Sequence, residues 1–235
     1  MGFADLHVHT IYSYDGTASV AAVLTQARKT GLNVIAITDH DEIAGSLKAL
    51  SLAPRYGVDV IPGIEITTSE GDLLALNVTE KIERGLSLVE TVLKVGELGG
   101  FCMAPHPMSN GMGMKSLSAY SILRALRNTD VADILIGIET YNATAIDKES
   151  NHYAHILAEH LDMAQTGNSD AHIVEAIGLG VTEFPGSTGS ELVKAIRKRT
   201  TTIRKKKEWN AVRILGSWAA RYLGSTFARR SMAAQ

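Results

Sequence analysis

Apolar residues along this chain of 235 residues follow two rhythms that take turns. Short, densely apolar blocks occur at residues 3–10, 33–38, 58–67, 73–78, 101–104, 134–141 and 163–167. Blocks such as Val34-Ile35-Ala36-Ile37 have the length and composition of strands covered on both faces. Between them, apolar positions recur at helical spacing over residues 19–30, 43–56, 88–98, 118–127, 148–161 and 189–198. In the first of these Val20, Val23, Leu24 and Ala27 share one face, and Gly31 supplies the stop. Residues 178–182 add a further short strand. Strand then helix, repeated with buried strands, predicts an α/β fold with a parallel sheet under helical cover.

The polar residues indicate how the sheet is arranged. His7, His9, Asp15, His40, His106, Asp170 and His172 each stand at or just past the end of an apolar block, and Glu65 is a lone acid inside one. Ligands at the C-terminal ends of at least five successive strands meet at one point only if the sheet closes into a ring, as in a TIM-like barrel. An open sheet would spread them along an edge. Asp39 reads as the N-cap of the helix that follows it.

Composition narrows the classes. The chain is 45% hydrophobic and 20% charged with a formal charge of −2, the profile of a soluble, enzyme-like domain and not of a disordered or globally polyanion-binding chain. Apolar runs such as residues 131–138 are too short to cross a bilayer, and no basic-then-apolar leader opens the sequence, so a cytoplasmic location is expected. The single cysteine, Cys102, excludes an internal disulfide and reads as a buried small hydrophobe. Charge is uneven: from Arg204 onward eight basic residues face one acid, Glu208, so this segment carries +7 and the remainder −9. An acidic body fits carboxylates gathered around cations.

His7 and His9, at i and i+2 of an extended segment, point the same way. Together with Asp15, His40, Glu65, His106, Asp170 and His172 they form a nitrogen and oxygen ligand set without thiolate, suited to zinc, manganese or iron. Eight ligands exceed the needs of one ion and suit two or three. Glu139, in the block Gly137-Ile138-Glu139-Thr140-Tyr141, is read as the hydrogen-bond acceptor behind a ligand histidine.

Five ordered motifs carry a resemblance: Asp5-Leu6-His7-Val8-His9-Thr10 with Tyr14-Asp15-Gly16, Thr38-Asp39-His40-Asp41, Gly63-Ile64-Glu65-Ile66, Pro105-His106-Pro107 and Ser169-Asp170-Ala171-His172. Over residues 3–200 the chain resembles the PHP (polymerase and histidinol phosphatase) family. The resemblance implies a distorted seven-stranded (β/α)7 barrel with a trinuclear metal centre that hydrolyses phosphoesters by a metal-bridging hydroxide. It also implies one ion on His7, His9, Glu65 and Asp170, a second on Glu65 and His106, and a third on Asp15, His40 and His172. Asp170 is expected to accept the nucleophile's proton, and a metal-bound water or His172 to protonate the leaving oxygen.

The substrate expected is a small phosphomonoester or nucleotide, gripped by Lys115, Ser109 and Thr10 around the loop after His106. The barrel is expected at residues 1–203 and a basic amphipathic helical tail at 204–235. That tail admits three readings: packing on the barrel, which is favoured, contact with a membrane surface or partner, and a nucleic-acid arm. The last would make the protein an exonuclease-like phosphodiesterase. A non-catalytic metal-binding regulatory module is the third functional class, and an absent ligand would have favoured it.

Overall fold

The structure, a computed structural model, describes residues 1–110, 114–205, 210, 212, 213 and 215–222. Its elements are β1 (Gly2–Asp5), α1 (Val20–Thr30), β2 (Val34–Ile37), α2 (Ala44–Leu52), β3 (Asp59–Thr67), β4 (Asp72–Leu76), α3 (Leu88–Glu97) and β5 (Phe101–Ala104). They continue with α4 (Ala119–Ala125), α5 (Thr129–Ile134), β6 (Leu135–Asn142), α6 (Glu149–His160), β7 (Ala164–Asn168), β8 (Gly180–Phe184), α7 (Gly189–Arg197) and β9 (Thr202–Lys205). The strands form one sheet in the order β7-β6-β5-β4-β3-β2-β1-β8-β9.

Side-chain alternation makes this sheet a filled barrel. Ala4, Leu6, Val34, Ala36, Ile61, Leu74, Leu76, Phe101 and Met103 cluster with Leu192 and Ile196 of α7, so that helix packs on the barrel's apolar interior layer. Their strand neighbours Ile35, Ile37, Ile64, Ile66, Leu73, Ala75 and Cys102 face outward into clusters shared with the other helices. β3 shows the consequence: Ile61 lies in the apolar layer and Glu65, four residues on and on the same face, rises above it. Gly63 between them is where a Cβ would stand 2.9 Å from the Ala75 carbonyl oxygen, so the strand approaches β4 too closely for a side chain.

The expected seven-stranded parallel barrel is corrected to nine mixed strands. β1, β2 and β3 are parallel, as are β5, β6 and β7, but β4 runs antiparallel to β3 and β5. A four-residue turn, 68–71, joins β3 to β4, and a link that short permits only reversal. β8 is antiparallel to β1, and β9 to β8. Arg204 and Lys205 belong to β9, so the domain boundary expected after residue 203 falls inside the sheet.

The seam between β7 and the opposite end of the sheet, at β8 and the β1 segment, is held by side chains. Thr182 donates its hydroxyl to the Gly167 carbonyl (3.0 Å) and accepts from the Gly167 N–H (3.1 Å). Asn168 Oδ1 accepts from Leu6 N–H at 2.9 Å, and the Asp5 carboxylate accepts from the N–H groups of Ser169 (3.0 Å) and Gly178 (2.9 Å). Burial pushes the Asp5 carboxyl up to about 6 against these bonds. Among the described residues, no helix is long and apolar enough to cross a membrane.

Candidate metal centre

The strand expected at 3–10 ends its ladder at Asp5, and beyond it the backbone is held by an isolated bridge from Val8 to Ala171, by the Thr38 N–H on the Val8 carbonyl at 2.9 Å, and by side chains. Val8 N–H donates to Thr38 Oγ1 (3.2 Å), and Thr10 N–H donates to Asp39 Oδ1 (2.6 Å). Asp39 therefore anchors this segment. The helix N-cap expected of it is corrected to Ile43, and Glu42 accepts the N–H groups of Ile43 and Ala44. Extended in this way, the segment delivers His7 and His9 to one side with ring centroids 5.1 Å apart.

All eight expected ligands converge at the top of the barrel. Glu65 is central: Oε2 lies 3.1 Å from His7 Nε2, 3.3 Å from His9 Nε2 and 3.2 Å from His40 Nδ1, while Oε1 lies 3.2 Å from His106 Nε2. Asp170 Oδ1 faces His7 Nε2 (3.4 Å), His9 Nε2 (3.3 Å) and His172 Nδ1 (3.5 Å). Asp15 Oδ2 faces His172 Nε2 (3.1 Å) and His40 Nε2 (3.4 Å). Three groupings follow: His7, His9 and Asp170; His7, Glu65 and His106; and His9, Asp15, His40 and His172. His106 and Asp170 hold the left-handed region, φ 29° and 52°, a conformation that side chains adopt at a cost and that is found at functional sites.

Supporting residues orient the ligands. Glu139 Oε1 lies 3.2 Å from His7 Nδ1, as expected of it, while Oε2 accepts from His106 N–H at 2.8 Å. Asn142 Nδ2 donates to Glu139 Oε2 and Asp170 Oδ2, both at 3.0 Å, and Asn168 Nδ2 donates to Glu139 Oε1 at 2.9 Å. Ser13 donates to Asp15 Oδ1 at 2.9 Å, and Ser116 Oγ meets His106 Nδ1 at 3.1 Å.

The electrostatics of the cluster demand positive charge. Burial disfavours charge on His7, but Asp170, Glu65 and Glu139 outweigh it and hold its pKa well above the usual range. The same competition lifts His40 to about 10, chiefly through Glu65 and Asp15, and His172 to about 9, through Asp15 and Asp170. Burial would raise Glu65 and Asp170, yet His7 and the other imidazoles hold both well below the ordinary carboxylate range.

Cations fit these residues. His9 Nε2 and His40 Nδ1 are buried without a hydrogen-bond partner among the described residues, although each sits within 3.3 Å of a Glu65 oxygen. Nitrogen and oxygen donors turned toward common points without bonding each other are arranged as ligands of a shared ion.

One member escaped the sequence reading. Asp72 groups with His40 and Glu65, is 3% exposed, and leaves Oδ1 without a hydrogen bond among the described residues. Burial and the neighbouring Glu65 push its carboxyl up to about 6. The signal available was hairpin register: Asp72 pairs with Thr67 and shares the inward face of β4 with Leu74 and Leu76.

The expected substrate grip is placed differently. Thr10 is fully buried and donates its hydroxyl to Asp39 Oδ2 at 2.8 Å, so its side chain secures the loop instead of lining an open rim, a correction to the expectation. Ser109 is 5% exposed and donates to Met114 Sδ at 3.2 Å. Lys115 alone of the three has an exposed side chain, and its carbonyl accepts from Asp72 N–H. Residues 111–113 of that loop lie outside the described residues, as do Lys206, Lys207, Trp209, Ile214, Leu223 and Phe227 of the expected tail helix. Residues 215–222 are helical, and Trp218 packs half-buried on the barrel's outer core.

A barrel of mixed strands with imidazoles and carboxylates converging at one mouth defines a metal-binding α/β class. The chain belongs to the PHP domain family, which it matches over residues 5–207. It is 37% identical over 161 residues to an uncharacterized protein of Methanocaldococcus jannaschii, covering 64% of this chain and 88% of that one. It is 44% identical over 63 residues to a phosphoribosyl 1,2-cyclic phosphate 1,2-diphosphodiesterase of Eggerthella lenta, covering 27% of this chain and 24% of that one. The fold resembles that of a two-domain protein of Bacteroides vulgatus containing a predicted PHP-like metal-dependent phosphoesterase, with a TM-score of 0.69 and 17% identity. That match covers 86% of this chain and 64% of the other.

Proposed function

We propose that this protein is a metal-dependent phosphoesterase that hydrolyses a phosphomonoester or nucleotide-type substrate. The observation that carries the reading is the meeting of four imidazoles on the two oxygens of one buried carboxylate, Glu65, with Asp170 and Asp15 completing the ring. Two or three divalent ions, manganese, zinc or iron, would be held by His7, His9, Glu65 and Asp170, by Glu65 and His106, and by Asp15, His40 and His172, with Asp72 as a further oxygen donor. When bound, such ions neutralise phosphoryl oxygens and acidify a water so that it attacks near neutral pH.

The chain's own residues do the rest. Asp170 Oδ2, steadied by Asn142, accepts the nucleophile's proton. His172 is the most exposed imidazole of the cluster, at 24% of its side chain, and that exposure supports a role toward the leaving oxygen. In the metal-free protein Asp15 and Asp170 favour its protonated form, and with only the two inner ions bound that form suits proton donation. Lys115 at the rim binds the phosphate. The phosphodiesterase activity in the name of the Eggerthella lenta protein supports phosphoester chemistry in general.

The exonuclease reading of the tail is second, because Trp218 packs on the barrel and fastens the helix 215–222 to it. Manganese-loaded protein assayed against phosphorylated metabolites, an aryl phosphate and short oligonucleotides tests the proposal. Hydrolysis that His9→Ala and Asp170→Ala both abolish is expected. Full activity in either variant, or no turnover of any phosphoester by the parent, would refute it.

A further inference from the structure

The PHP match ends at residue 207, and the helix that carries Trp218 lies beyond it. This helix is fastened at two points, both on loops that carry candidate ligands. Trp218 Nε1 donates to the backbone carbonyl of Asp15 at 2.9 Å, across 203 residues of sequence. Its ring packs on the outer core and stacks on Tyr222 at 4.8 Å. Three residues further along the helix, Arg221 pairs with Glu175, in the turn just after His172. Asp15 and His172 are themselves 3.1 Å apart.

The inner ligands need no such help, since Glu65 is set by a strand with partners on both sides. Asp15 stands in an irregular loop whose neighbour Tyr14 is 63% exposed. Besides the Ser13 bond to its side chain, this loop is tied to the His172 carbonyl by Thr17, through its N–H at 3.0 Å and its hydroxyl at 2.7 Å. The two loops thus lean on each other, and the helix grips both.

We infer that Trp218 is a positioning residue for the outermost metal position, that of His9, Asp15, His40 and His172. Its indole N–H sets the backbone of Asp15, and the Arg221–Glu175 pair holds the helix against the His172 turn. Residues 215–222 are on this account a strut of the site. The inference rests on the metal reading of the cluster, and its test separates the two.

Parent, Trp218→Phe and Arg221→Ala proteins are stripped of metal, dialysed against a series of fixed Mn²⁺ concentrations and assayed for bound manganese per chain. Melting of the metal-stripped forms is followed in parallel. Phenylalanine keeps the packed ring and loses only the N–H, so it decides the question. Outer-shell partners of ligands are worth about 10- to 100-fold in metal affinity, and a bond to a ligand's backbone falls at the lower end. The weakest-binding ion in Trp218→Phe is therefore expected to bind about 10-fold less tightly, with the tighter ions and the metal-free melting temperature unchanged.

Trp218→Phe binding every ion as the parent does would overturn the inference while leaving the metal centre standing. A parent that binds no manganese would overturn both. Equal weakening of all ions, or a loss matched by a lower metal-free melting temperature, would mark Trp218 as a general packing residue and also overturn it.

Discussion

Replacing Asp72 by asparagine separates the cost of gathering negative charge from its use. The carboxyl is 3% exposed, lacks a partner for Oδ1 among the described residues, and lies beside Glu65, so its pKa rises from 3.8 to about 6. A raised carboxyl favours the folded state while it is protonated. That contribution is complete below pH 3.8 and is lost as pH rises through about 6. At pH 8 the folded, metal-free protein holds an ionised Asp72 at a cost of about 3 kcal/mol, from about two pKa units at 1.36 kcal/mol each. Asparagine has the same shape without the charge. Asp72→Asn should stabilise the metal-stripped protein at pH 8 by up to about 3 kcal/mol, a gain that shrinks through pH 6 and vanishes near pH 4. Saturating Mn²⁺ should reverse the order, because the cation stabilises the ionised carboxylate of the parent and the variant lacks that ligand. Urea denaturation at pH 8, 6 and 4, with and without metal, measures all of this. A variant no more stable than the parent at pH 8 without metal would refute the reasoning.

Three further perturbations probe the supports of the site. Gly16→Ala places a Cβ 2.0 Å from the Thr10 carbonyl oxygen, so the loop must shift and carry Asp15 with it; a stability loss of about 1–3 kcal/mol and a lowered manganese content are expected, read by denaturation and metal analysis. Thr182→Val keeps the shape of the side chain but leaves the Gly167 N–H without its acceptor, which should cost about 1–3 kcal/mol in a denaturation experiment; no change would show that the hydroxyl does not hold the seam. Glu139→Gln removes the charge facing His7 Nδ1 and should weaken metal binding about 10- to 100-fold in a chelator competition, whereas unchanged affinity would confine Glu139 to structural bonding.

What sequence could reveal of the fold followed the strength of the apolar rhythm. α1, α3 and α7 were legible because apolar faces coincide with caps: Ser19, Ser87 and Thr188 each accept an N–H of the first turn, and the last two complete capping boxes. α5 was not, because residues 131–138 form one apolar run that the chain divides between the end of a helix and the start of β6; only the Asn128 cap marks the change. β9 was hidden by charge. Arg204 and Lys205 read as a basic tail, yet both pair with β8 in an edge strand, where an exposed cation such as Arg204 is at ease.

The site was more legible than the fold, and for a physical reason. Buried imidazoles and carboxylates are expensive, so a chain whose apolar strands end in them declares a cluster whatever the strand directions are. That argument needs each ligand to follow an apolar block, which His7, His40, His106 and Asp170 do. It failed at Asp72 because the acid precedes its block. In a parallel barrel a residue at the start of a strand lies at the far end from the site, and the reading assumed parallel strands throughout. The turn at 68–71 reverses β4, brings its first residue to the mouth, and pairs Asp72 with Thr67. The misread strand direction and the missed acid are thus one error. Thr68-Ser69-Glu70-Gly71, a polar turn too short for a crossover, was the stretch of sequence that could have corrected both.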